Sequence, residues 1–227
     1  MAGWLRFSTE VTAMPEIIET TVYRLEELSG DAKDKARAWY RDGAFDHDWH
    51  DAVYVDFESI CAILGVTLRT NAVRLMGGGS RSEPCIYFRG FWSQGDGACF
   101  EGQYAHGRHA AAKIRQYAPM DTDLHEIADA LQAIQRRNFY QLRADIRHRG
   151  RYTHEYCMEI AVERDSPTMQ DMTRDADNIV AEALRELARW LYRQLERDYE
   201  YQISDECVDE AIAAKAYTFT DAGRRFG

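Results

Sequence analysis

The sequence predicts an α+β fold, and three observations carry that expectation. Alternating runs over about 86–104 and 139–162 read as two antiparallel hairpins forming one sheet. Apolar stripes at three- and four-residue spacing surround them, and the longest stripe, over about 169–199, is long enough to cover a sheet. With 227 residues, 45% of them apolar and 12% aromatic, the chain has material for one sizeable core, so a single domain over 14–227 is expected. Residues 1–13 precede the pattern and are expected to be a poorly ordered extension.

The segment 16–23 is rich in β-branched residues and predicts a short strand. A helix follows from Ser29 as N-cap, with Ala32, Ala36, Trp39 and Tyr40 on one side. The next helix starts near Asp46 or Asp48, carries Val53, Phe57, Ile60 and Leu64, and stops at Gly65. Residues 66–76 alternate as one strand, and the glycines and serines of 77–82 predict a mobile surface loop. In the central hairpin two aromatic runs flank Ser93-Gln-Gly-Asp-Gly97, where positive φ is expected at one or both glycines and Asp96 is placed to accept amide hydrogen bonds.

His106 to Tyr117 predicts a short helix ended by Pro119, and Asp121 or Thr122 caps another through Leu124, Ile127, Leu131 and Ile134. In the second hairpin Tyr140, Leu142, Ala144 and Ile146 face the core with Tyr152, His154, Tyr156, Met158 and Ile160. Placing both sets on one side requires a loop of odd length, and His148-Arg149-Gly150 with Gly150 left-handed supplies one, setting Arg143 opposite Glu155. Ser204 caps a last helix through Val208 and Ile212, and 216–220 is an edge strand.

Charge and cysteines exclude several functions. Twenty-eight basic against 38 acidic residues give a net charge of -10, which opposes direct nucleic-acid binding. Five scattered cysteines without a C-x-x-C pair give neither a disulfide framework nor a zinc site, and fit a reducing cytoplasm. No run is apolar enough to span a membrane, and 1–12 has no apolar signal core.

Asp46, His47, His50 and Asp51 form a metal-ligand candidate at helical spacing, against the plainer reading of an acidic first helical turn. No cofactor is expected. Asp96, Cys99, His148, His154 and Glu155 are the candidate catalytic set if the hairpin ends converge, with Cys99 as a thiol beside a histidine base. The plainer reading makes Cys99 a small buried strand residue and the histidines solvated. Trp92, Gln94, Asp96, Arg149 and Arg151 are the candidate binding residues, offering an aromatic face and guanidinium forks.

The segments Glu27-Leu-Ser-Gly-Asp-Ala-Lys-Asp-Lys-Ala-Arg-Ala-Trp-Tyr40, Gly90-Phe-Trp-Ser-Gln-Gly-Asp-Gly-Ala-Cys-Phe-Glu-Gly102, His148-Arg-Gly-Arg-Tyr-Thr-His-Glu-Tyr156 and Trp190-Leu-Tyr-Arg-Gln-Leu-Glu196 resemble a bacteriophage and prophage family labelled as an antitoxin of a toxin–antitoxin stability system. The resemblance runs from about residue 14 to the C-terminus. It implies a non-enzymatic accessory protein in the bacterial cytoplasm that neutralises a protein, as an antitoxin or an inhibitor of a host defence such as CRISPR-Cas does. No helix-turn-helix module accompanies it. The acidic balance then points to a basic nuclease or nucleic-acid-handling complex as partner, with a homodimer as a further expectation. The alternative is an enzyme or small-ligand binder working at Asp96, His148 and His154.

Cysteine and metal usage yield the first test. Reducing agent should leave the fold intact and chelator should leave the thermal midpoint unchanged; a fall of several degrees on adding EDTA would make the 46–51 cluster a metal site.

Overall fold

The computed structural model of the protein describes residues 19–45 and 48–227. The fold is α+β, and the chain forms two compact units, a larger one over Asp46–Ser204 and a smaller one made of Met1–Phe45 with Asp205–Gly227. In chain order the described elements are α1 (Gly30–Trp39), α2 (Asp51–Leu64), β1 (Val66–Leu68), β2 (Thr70–Arg74), β3 (Ser80–Pro84), β4 (Ile86–Arg89), β5 (Gly97–Phe100) and β6 (Gly102–Ala105). There follow α3 (Ala110–Tyr117), α4 (Thr122–Arg137), β7 (Leu142–His148), β8 (Met158–Arg164), α5 (Ala176–Gln202), α6 (Asp205–Ala214), β9 (Thr218–Phe219) and β10 (Arg225–Phe226).

In the larger unit three extended runs each change partner at one residue. Arg69 separates β1 from β2, Cys85 separates β3 from β4, and Glu101 separates β5 from β6. On one side of these breaks β1 pairs with β6; on the others β2 pairs with β3 and β4 with β5, all antiparallel. The three break residues bond one another in a ring: Arg69 N–H donates to the Glu101 carbonyl at 2.9 Å, Glu101 N–H to that of Cys85 at 2.9 Å, and Cys85 N–H to that of Arg69 at 2.7 Å. No backbone group is orphaned where the sheet divides. The central hairpin therefore ends at Phe100 rather than 104, because β6 leaves it to join β1 and β7. Likewise 66–76 is two strands, and the expected loop 77–82 is only a turn at Gly77–Gly79, since Ser80 already pairs with Arg74. The β2–β3 ribbon is exposed over most of its length.

β6 continues into a four-stranded sheet of order β1-β6-β7-β8. The second hairpin pairs Ala144 with Val162, Ile146 with Ile160 and His148 with Met158, which puts the apolar sets on one face. On the other face Arg143 lies opposite Glu163 and Arg147 opposite Glu159, so opposite charges line it. The turn is not three residues at 148–150 but nine, 149–157, which is also odd. Arg143 accordingly meets Glu163, not Glu155, and Tyr152, His154 and Tyr156 belong to the loop. The loop is long because His154 accepts the Tyr156 amide and nucleates a helical turn at Glu155–Cys157 instead of extending the strand. Gly150 is left-handed, at φ 106°.

α5 packs on β5 and β8 and alongside α4. Its stripe, including Val180, Leu184, Leu187, Leu191 and Leu195, is fully buried. The helix begins at Ala176, not at 169, because the preceding segment is tied to other elements. The Asn138 amide exchanges hydrogen bonds with Thr173 at 2.9 and 3.0 Å, and the Arg164 guanidinium holds the Asp171 carbonyl and the Gln170 side chain at 2.8 Å each. Tyr140 does not extend β7, since it turns at φ 61° and donates its amide to the Gln135 carbonyl at 2.7 Å. The buried Gln135 side chain bonds Leu142 through both its amide atoms.

α2 starts at Asp51, later than expected, and stops at Gly65, where φ is 91° and a Cβ would lie 2.1 Å from the Ala105 carbonyl oxygen. α3 starts at Ala110 rather than His106, since Gly107 lies against the end of α2, where a Cβ would sit 2.6 Å from the Ile63 carbonyl oxygen. Asp121 caps α4 as expected, accepting the Leu124 amide at 3.0 Å. Among the described residues no helix is long and apolar enough to cross a membrane.

In the smaller unit α1 and α6 bury Ala36, Val208 and Ile212 with Phe219, and Arg37 grips Asp209 through two bonds of 2.7 Å. Phe219 pairs with β10 and with Tyr23, which makes one isolated bridge. Of the strand expected over 16–23, residues 16–18 lie outside the described residues, as does the 1–13 segment, and 19–22 form no strand.

Leu187→Ala should cost about 2–5 kcal/mol in urea unfolding, because its side chain is wholly buried between helix and sheet. A loss below about 0.5 kcal/mol would mean that α5 contributes no cover to the core.

Candidate functional site

The loop 90–96 that joins β4 to β5 is built around one carboxylate. Asp96 Oδ2 accepts the amides of Trp92 at 3.0 Å and Ser93 at 2.6 Å, while the Asp96 amide returns to the Ser93 carbonyl at 3.0 Å. Of Gly95 and Gly97 only Gly95 is left-handed, at φ 92°, and Gly90 at the start of the loop is left-handed too, at φ 48°. Gly97 is required for a different reason: a Cβ there would lie 2.5 Å from His154 Cβ and 2.8 Å from its Cα. At Gly95 a Cβ would come within 2.9 Å of the Tyr152 ring. The hairpin end is thus seated on the loop 149–157. Phe91 turns inward, its ring 5.2 Å from that of Tyr199 and 5.5 Å from that of Tyr192, whereas Trp92 is 76% exposed and Gln94 is exposed beside it.

The second loop presents Tyr152 and Tyr156, both half-exposed or more. Tyr152 stacks on His154 at 6.5 Å, and His154 meets the edge of Tyr156 at 6.0 Å. Tyr156 in turn lies under the guanidinium groups of Arg185 and Arg189, 5.7 and 5.8 Å from the ring centre. Tyr152 and Tyr156 thus form one exposed cluster through His154 beside Arg185 and Arg189 of α5, while Trp92 stands at the neighbouring loop with its ring 5.5 Å from that of Tyr199, further along the same helix. Sequence reading missed the two tyrosines, whose alternation with polar neighbours imitates an inward strand face. Gly150 and the histidines on both sides of it were the available signals of a longer loop.

The catalytic set is brought close together but its reactive atoms are engaged elsewhere. Cys99 is completely buried, and burial pushes its thiol up to about 12, with Cys157 nearby adding to the shift. His148 Nε2 donates to the Tyr152 carbonyl at 2.8 Å. His154 Nδ1 accepts the Tyr156 amide at 3.1 Å, so a neutral ring carries its proton on Nε2, the atom 3.6 Å from Cys157 Sγ. A base for a thiol needs that nitrogen unprotonated. Glu155 lies 3.8 Å from Arg189, and Asp96 is committed to its loop. Of the binding candidates, Arg149 pairs with Glu159 and Arg151 is exposed.

Asp46 and His47 lie outside the described residues. His50 and Asp51 diverge: Asp51 is exposed at the start of α2, while the His50 ring is half-buried 4.7 Å from that of Tyr54 and 5.4 Å from that of Phe88. Among the described residues no group of three or more histidine, cysteine or acidic side chains is placed to hold a metal ion.

These features define an α+β protein with an exposed aromatic surface at converging hairpin ends. A family model described as Domain of unknown function (DUF8835) matches residues 49–205, and the chain belongs to that family. The match coincides closely with the larger unit and contains the whole aromatic surface. No curated protein and no solved structure matches the chain.

Substitutions at the loop should separate shape from charge. Asp96→Asn retains an acceptor and should cost about 1 kcal/mol, whereas Asp96→Ala strands two amides and should cost about 2–3 kcal/mol. Gly97→Val should cost at least about 1–3 kcal/mol through collision with His154. Equal melting of the Ala variant and the parent protein would show that the carboxylate does not hold the loop.

Proposed function

We propose that this is a non-enzymatic accessory protein that binds and neutralises a protein target, as a phage or prophage antitoxin or an inhibitor of host defence does. The observation that carries this reading is the exposure of three aromatic side chains, Trp92, Tyr152 and Tyr156, on two braced and adjoining loops. Large aromatic side chains fixed by a rigid scaffold are the commonest anchors of protein interfaces, since they contribute contact area with little entropy left to lose. Asp96 and Gly95 give Trp92 that support. The net charge of -10 favours a basic partner, such as a nuclease or a nucleic-acid-handling complex, and speeds encounter with it. The engaged state of Cys99, His148 and His154 supports binding over catalysis.

The partner is to be captured from the native bacterial host, identified, and reconstituted with the purified chain in a calorimeter. A defined complex that suppresses the partner's activity is expected, with Trp92→Ala weakening it by about 30-fold, the loss of one interfacial anchor. Unchanged affinity in a Trp92→Ala, Tyr156→Ala protein that melts like the parent would remove the aromatic surface from the interface. Turnover of a small substrate abolished by His154→Ala would replace this reading with the enzymatic one.

A further inference from the structure

α4 and α5 pack side by side and are clamped at both ends. Arg137 at the end of α4 holds Asp175, just before α5, through two bonds of 2.9 Å, and Arg193 reaches Asp123 in the first turn of α4 at 2.8 Å. The Trp190 indole adds a 2.8 Å bond to Asp121. Between these clamps the helices leave an open groove of about 740 Å³. Its floor is apolar, made by Ile127, Ala130, Ile179 and Ala183. The alanines create the depression, since neither methyl fills the space between the helices as a longer side chain would.

The rim carries Asp123, Glu126, Glu182 and Glu186, and among the described residues Arg193 is the one cation lining it. Arg185 and Arg189 stand on the neighbouring face of α5, stacked on Tyr156, and Arg189 is shared by Glu155, Glu182 and Glu186. Glu126 makes no ion pair among the described residues. The groove is therefore apolar within, and its edge carries one carboxylate, Glu126, beyond those that Arg185, Arg189 and Arg193 compensate. From residue 179 to residue 193 it follows about 21 Å of α5, roughly four helical turns.

We propose that this groove receives a basic amphipathic helix of the protein target, whose apolar stripe lies on the alanine floor and whose lysines or arginines meet the carboxylate rim. This deepens the neutraliser reading and rests on it. The charge pattern selects the occupant: Glu126, with no ion pair among the described residues, stands with the ion-paired Asp123, Glu182 and Glu186 on a chain of net charge -10, so the rim favours a cationic helix over an acidic one. The groove borders the Tyr156 side of α5, so one partner covers both surfaces, with the aromatic loops holding the part of the target that flanks its helix.

The test uses the full chain and three fluorescent synthetic peptides of about 18 residues. One has leucines at helical spacing with lysines elsewhere, one has glutamates in place of the lysines, and one is the basic composition scrambled out of register. The basic amphipathic peptide should bind more tightly than both others, and its affinity should fall with added salt. Ala130→Trp, which fills the floor, and the double substitution Glu126→Lys, Glu186→Lys, which inverts the rim, should each weaken binding at least about tenfold. Glu163→Lys on β8 should leave it unchanged, and melting curves verify folding of every variant. Equal binding by the groove variants, equal binding of the acidic or scrambled peptide, or failure of the basic peptide to bind each overturns the proposal. A dimer of the parent chain broken by Ala130→Trp assigns the groove to a second copy and overturns it too. If the reconstituted native partner is released by Trp92→Ala but not by the groove variants, the groove assignment fails and the neutraliser reading stands; release by neither set fails both.

Discussion

The arrangement of the larger unit depends on the ring of backbone hydrogen bonds among Arg69, Cys85 and Glu101. Each residue is the formal pairing partner of the other two, so three antiparallel ladders meet at one point with every amide and carbonyl engaged. The Cys85 side chain is buried at this point, and Arg69 and Glu101 add a side-chain contact of 3.4 Å. From the junction β6 turns into the main sheet while β5, paired with β4, runs beneath α5. That divergence carries the 90–96 loop away from the sheet and sets it on the 149–157 loop, which β7 and β8 present independently.

The convergence of the loops explains why reactive side chains sit together without forming a reaction centre. Three aromatic rings are exposed at their ends, and the polar atoms beneath are spent on holding the backbone that raises them. Asp96 braces one loop and His148 and His154 brace the other, while Gly95 and Gly97 allow the two to touch. A histidine that accepts an amide proton on one nitrogen and offers a proton on the other serves as a strut. The same economy appears at Tyr156, which binds two guanidinium groups from below and keeps a face for solvent.

Local chemistry was the most legible part of the sequence. Asp121 as the cap of α4, Gly65 as the stop of α2, the buried stripe of α5, and Asp96 as the keeper of its turn all follow from residue types at fixed spacing. The junction was not legible because alternation continues unbroken through Arg69, Cys85 and Glu101: a strand that changes partner keeps its period. The 149–157 loop was hidden in the same way, since Tyr152, His154 and Tyr156 alternate without pairing. The start of α5 depends on Asn138 and Arg164, which no local window around 169–175 contains. Within the candidate site Trp92 and Asp96 were visible, whereas the groove joins small side chains of two helices distant in sequence.

The spacing of the junction has a kinetic meaning. Cys85 lies midway in sequence between Arg69 and Glu101, so the β2–β3 and β4–β5 hairpins use equal spans of chain, closed around short loops at 75–79 and 90–96. Once both have formed, Arg69 and Glu101 already stand side by side, and the β1–β6 ladder requires no further loop closure of its own. The region 66–105 is thus a nest of near-neighbour contacts, with most of its ordering entropy divided into small instalments. β7, β8 and α5 must be gathered from farther along the chain, and they meet an edge whose register β1 and β6 have already set.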